Sequence, residues 1–146
     1  MRTCKQSNQI NDESSLINKV KHLTSICKDI HLSSIDYDFH PHSSVTHFVY
    51  YENSFYTFLC PHAEHTGNLI NHPRTSFMLK VNEEHHIAPG NVKQISLKGT
   101  ARTVDREEDL HDLIIDRYMF KYGNQYLSTL KESDFILFEL IPLSPN

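Results

Sequence analysis

The chain is poor in the features that settle a protein's class quickly. Its 146 residues hold three cysteines, Cys4, Cys27 and Cys60, and no CxxC pair. That pattern indicates neither a disulfide scaffold nor a cysteine-based zinc module. Isolated thiols in odd number read as reduced cysteine and predict a cytoplasmic location. The polar start, MRTCKQSNQINDESS, agrees, because it lacks the apolar core of a signal peptide. No run of about 18 apolar residues occurs, which excludes a helical membrane span. Positive charge is scarce as well. Fourteen Lys and Arg against 18 Asp and Glu leave a net charge of −4 with histidine neutral, so there is no electrostatic reason to expect binding to nucleic acid or an anionic membrane. Catalytic signatures are also missing. With no Ser-His-Asp order, P-loop, G-x-G-x-x-G or HExxH, any redox chemistry has to come from a bound cofactor.

What the chain has instead is histidine, eleven in all, enough to carry the net charge towards positive near pH 6. Apolar residues make up 38%, low for a globular chain, and burial at a subunit interface would compensate for a thin core. The length suits one compact unit. The expectation is a disordered tail over residues 1–11 and a single domain over 12–146.

Periodicity sets out the elements. A helix is expected from Asp12, with Leu16, Ile17, Val20, Leu23 and Cys27 on one face. DIHLSSI alternates as a strand, DYDFHP carries turn chemistry, and HSSVTHFVYY reads as one strand rich in β-branched and aromatic residues. FYTFLC, TSFMLKV, VKQISLKGTARTV and DFILFELIPL bring the strands to six. AEHTGNLINH predicts a short helix that Pro73 stops. Asp105 would cap a last helix that ends at Gly123, and Gly99 inside a long strand suggests a bend. Short connections without strict β/α alternation predict a mostly β (α+β) fold, a six-stranded antiparallel split β-barrel with flanking helices.

Residues 54 to 104 are the most informative stretch. They run strand, short helix, strand, loop, strand. A helix start that follows a strand presents free N–H groups and a positive dipole end, which makes an anion site. A phosphate-bearing cofactor is therefore the first hypothesis. Histidines and a glutamate stand where such a site favours arginine or lysine.

Three segments carry a family resemblance. HLSSIDYDFHPHSSVTHFVYYENSFYTFL looks like the opening strands of the FMN-binding split barrels of the pyridoxamine 5′-phosphate oxidase superfamily. HTGNLINHPRTSFML is similar to their K-x-x-N-L-x-x-N-P-R-V-S-L-hydrophobic signature, and KQISLKGTARTVD to their R-Q-hydrophobic-x-hydrophobic-x-G-x-A stretch. Together these cover roughly residues 29 to 106. Within the superfamily the chain most resembles small uncharacterised bacterial members and the haem-utilisation split barrels. AEHTGNL is similar to an E/R-H-x-x-x-L stretch of the latter.

The resemblance implies a homodimer with FMN in the cleft between subunits. Carried over position by position, the cofactor contacts fall at Ser43, Ser44, Val45 and Thr46, at Phe58 and Leu59, at Glu64, His65 and Thr66, and at Gln94, which would reach the flavin from the other subunit. Arg74 is implied to close the helix–strand turn. The first expected function is a flavin-dependent oxidoreductase-like protein. The second is a haem-binding or haem-degrading split barrel with His65 as iron ligand and His62 and His47 as further candidates. The third is a cofactor-free barrel with a degenerate flavin site. Glu64 argues for it, because a phosphate carries about two negative charges. His85 and His86 lack an i, i+4 pairing or a cysteine partner and read as a solvated loop.

Overall fold

A computed structural model describes residues 12–81 and 93–143. The tail 1–11 and the loop with His85 and His86 lie outside the described residues. In chain order the elements are α1 (Asp12–Ile26), β1 (Asp29–Ile35), β2 (Pro41–His47), β3 (Val49–Tyr51), β4 (Ser54–Leu59), α2 (Glu64–Asn71), β5 (Arg74–Lys80), β6 (Gln94–Val104), α3 (Asp109–Tyr122), a 3₁₀ turn (Asn124–Tyr126), α4 (Leu127–Glu132) and β7 (Ile136–Pro142). Among the described residues no helix is long and apolar enough to cross a membrane.

The strands form one antiparallel sheet in the order β2-β1-β5-β6-β7-β4-β3. Its two edges, β2 and β3, follow each other in the chain with only Phe48 between them. Two Cα steps of about 3.8 Å therefore tether one edge to the other, and the sheet has to curl until they meet. The hydroxyls of Thr46 on β2 and Thr57 on β4 share a 3.0 Å hydrogen bond across this closure. The result is the mostly β, antiparallel split barrel with flanking helices that the sequence predicts.

The strands number seven, not six, because HSSVTHFVYY breaks at Phe48. The Phe48 N–H donates to the Tyr122 hydroxyl at 2.9 Å. Its carbonyl accepts from Lys121 Nζ at 2.8 Å and lies 2.7 Å from the same hydroxyl. The backbone at that point is bonded to helix side chains instead of a neighbouring strand.

Two apolar cores result. The barrel interior is filled by Ile30, Leu32, Phe48, Phe55, Leu59, Phe77, Leu79, Phe138 and Leu140, with Val20 and Leu23 of α1 and Cys27 just after it plugging it. Ile17, expected on the same face of α1, is 49% exposed. The second core lies between the barrel wall and α3, and holds Val49, Tyr56, Phe58, Ile114, Ile115, Tyr118 and Leu137. β4 is covered on both sides, and all six of its residues are buried. Helix α3 starts at Asp109, four residues after the expected cap. Asp105 instead donates its N–H to Glu108 Oε2 at 2.8 Å, within a turn that precedes the helix.

Gly99 shows how tightly β6 and β7 pack. A Cβ there would collide with the Ile141 carbonyl and come within 3.0 Å of Phe77 Cε1. Gly99→Ala is expected to lower stability by about 1–3 kcal/mol. The loss would appear as a reduced denaturation midpoint with an unchanged slope. An unaltered midpoint would mean that the two strands separate without penalty.

Candidate functional site

Helix α2 opens just after β4 ends. Its N-cap is Ala63, which provides no side-chain cap, and alanine is a poor residue there. The buried Thr66 donates its hydroxyl to the Cys60 carbonyl at 2.5 Å, and Asn68 Nδ2 donates to Ser34 Oγ at 3.1 Å. Leu69 enters the barrel core. With that face anchored, Glu64 and His65 remain at the mouth of the barrel, next to first-turn N–H groups that have no capping side chain.

β2 supplies the facing groups. Its residues alternate in burial, with Ser43 and Val45 exposed on one side and His42, Ser44 and Thr46 half-buried on the other. Ser44 Oγ lies 2.9 Å from His65 Nδ1. His42 Nε2 lies 3.3 Å from Glu64 Oε2. The rings of His42 and His65 are 6.5 Å apart and stand at 70° to each other.

The structure thus gathers Ser44, Glu64 and His65 and adds His42, to which the sequence analysis gave no site role. The available signal was its position two residues before Ser44, on the same strand face. The other residues named from the sequence lie elsewhere. Thr46 is bonded to Thr57, and Thr66 faces inward. The side chains of Phe58 and Leu59 are packed in the two cores, so only their backbone is left for a ligand. Gln94 is exposed on β6 opposite Lys80, and the role implied for it requires a second copy of the chain. His62 is exposed. His47 pairs with Asp29 at 3.1 Å and packs on the Tyr122 ring. The helix–strand turn is held by backbone bonds from His72 to Asn68 and from Ala101 to Pro73. The exposed Arg74 side chain takes no part in them.

Burial against β2 holds the His65 pKa below the ordinary 6.5, and the nearby charge of His42 lowers it further. At pH 7 the ring is therefore neutral. His42 Nδ1 is buried and, among the described residues, has no hydrogen-bond partner. The mouth combines uncapped N–H groups, a serine hydroxyl and two imidazoles, a donor set suited to an oxyanion. Glu64 opposes an anion, and His42 stands where it can offset that charge.

The sequence matches a family model described as pyridoxamine 5′-phosphate oxidase over residues 19–145. No curated protein matches it. Among solved structures, the chain is similar to the haem storage protein HutZ from Vibrio cholerae, with 23% identity, a TM-score of 0.79 and coverage of 88% of this chain and 90% of that one. A haem-binding protein from Mycobacterium smegmatis is 16% identical with a TM-score of 0.73, over 84% of this chain and 49% of that one. An FAD-binding protein from Mesorhizobium loti is 14% identical with a TM-score of 0.64, over 88% of each chain. At these identities the likeness shows a shared fold.

The lowered His65 pKa fixes a pH dependence. A histidine depressed in the folded state contributes stability above its unfolded pKa, and that contribution is lost as pH falls through the folded value. Unfolding free energy should therefore decline below about pH 6.5. In NMR titrations the His65 ring should titrate below 6.5, and His42→Gln should raise its midpoint. An unmoved midpoint would exclude His42 as a cause.

Proposed function

We propose, from the premise that this chain belongs to the pyridoxamine 5′-phosphate oxidase family, that it binds FMN as a homodimer and serves as a flavin-dependent oxidoreductase. The observation that carries this reading is the Ser44–His65 hydrogen bond beside the uncapped start of α2. The phosphate would be held by the first-turn N–H groups of α2, by Ser44 and by His65, with His42 offsetting Glu64. When bound, the flavin supplies the electron-transfer chemistry. The protein's part is to orient and shield it, through Ser43 and Val45 on β2 and Gln94 of a second copy.

A second reading, haem binding, is favoured by one specific feature. His65 is a neutral imidazole whose Nδ1 is engaged by Ser44, which leaves Nε2 as the nitrogen for iron. An oriented ring of this kind is typical of metal-ligating histidines. Two of the similar structures carry haem in their descriptions.

Absorbance and fluorescence of the pure protein, titrated separately with FMN and haem, test both readings. FMN fluorescence is expected to be quenched at micromolar concentration. Glu64→Lys should tighten FMN by one to two decades, about the effect of one charge-assisted hydrogen bond, and Ser44→Ala should weaken it. Absence of quenching in both the parent and Glu64→Lys would sink the flavin reading. A Soret band that is lost in His65→Ala would establish the haem reading instead.

A further inference from the structure

A separate cleft of about 620 Å³ opens where β1, β5 and β6 run side by side, lined by Ser33, Arg74, Ser76, Lys98 and Thr100 and walled by Ile35, Pro41 and Leu143. Register explains why the polar groups converge. Ser33 lies opposite Ser76, and Ser76 opposite Lys98. Directly paired residues point to the same face of a sheet. Arg74, opposite Thr100, is two residues from Ser76 and shares that face. Among the described residues the cleft lining contains no Asp or Glu. None of the side chains gathered at the start of α2 belongs to it.

Among the described residues the two cations have no carboxylate partner. Among the described residues, neither Arg74 nor Lys98 forms an ion pair, and the hydroxyls of Ser33, Ser76 and Thr100 are unbonded. The next cation on β6 is treated differently. Arg102 donates to Glu139 at 2.7 Å and reaches Glu108 at 3.4 Å. A chain with a net charge of −4 has carboxylates to neutralise a sheet arginine, and among the described residues none lines this cleft. Like charges at diagonal sheet positions repel unless something lies between them. A carboxylate or phosphate group would satisfy both, with the arginine fork binding in bidentate fashion and the lysine acting as a point charge.

We infer that this cleft is a second ligand site, for a small organic anion whose carboxylate or phosphate group sits between Arg74 and Lys98 and whose apolar part lies against Ile35, Pro41 and Leu143. The site does not depend on the cofactor reading, because it shares no residue with it.

The test is an amide NMR titration of the full chain at constant ionic strength, with inorganic phosphate and hexanoate as separate probes. Saturable shifts centred on Ser33, Ser76, Lys98 and Thr100 are expected with at least one probe, and the better probe identifies the oxyanion. Both cations are exposed, so Arg74→Gln with Lys98→Gln should leave the fold intact and weaken binding at least about tenfold. His65→Ala should leave it unchanged. Non-saturating shifts with both probes would overturn the inference, and so would binding undiminished in the double variant.

Discussion

The closure at Phe48 is the constraint from which the architecture follows. Sheet edges with unpaired N–H and C=O groups are a liability, and here the two edge strands are covalently joined through one buried residue. The strand ladder cannot continue through that residue, so its backbone groups need other partners. The end of α3 supplies them. Tyr118, Lys121 and Tyr122 are three and four residues apart and therefore lie on one helix face. Their hydroxyl and ammonium groups reach the carbonyls of His47 and Phe48 and the N–H of Phe48. Lys121 Nζ lies 3.5 Å from the centre of the Phe48 ring. Burial lowers its pKa to about 8, and the ammonium remains mostly charged at neutral pH. Gly123, at φ 97°, ends the helix just past this set of contacts.

This closure also shapes the candidate site. With β2 held against β4 through Thr46 and Thr57, its inward residues His42 and Ser44 are directed towards the end of the barrel, where α2 begins. Helix α2 is fixed there by Thr66 and Asn68, both buried and both bonded to strand ends. The mouth is assembled from two elements, each pinned by contacts that lie beneath it. A ligand at the mouth would meet groups already in position, which reduces the ordering entropy that binding has to overcome.

The sequence shows the fold more fully than it shows the site. Alternation in DIHLSSI and the β-branched run around Val45 identify strands because side-chain period reflects burial directly. The break at Phe48 left no such signal, since FVYY is as apolar as a strand and the interruption comes from side chains more than 70 residues later. Asp105 illustrates the same limit, because a cap and a turn residue share one chemistry and only the Glu108 carboxylate decides between them. At the site, His65 stood out through its place in a motif. His42 did not, since its role depends on the register between β2 and α2. Arg74 was assigned to a turn that backbone bonds hold without it.

The distribution of charge between the two sides of the barrel carries a final consequence. Arg74 and Lys98 face the outer cleft, and the mouth at α2 has imidazoles, neutral donors and the Glu64 carboxylate. A phosphate at the mouth therefore forgoes a permanent charge-assisted bond, a difference of about 1.5–3 kcal/mol against a lysine or arginine. That loss corresponds to one or two decades in affinity. Any cofactor that stays there has to recover it by burying a large planar ring. Because the outward residues of β2 are Pro41, Ser43, Val45 and His47, with little apolar surface among them, most of that burial has to come from a second copy of the chain. On this argument, occupancy of the mouth and dimer formation are thermodynamically linked, and each strengthens the other by the same factor.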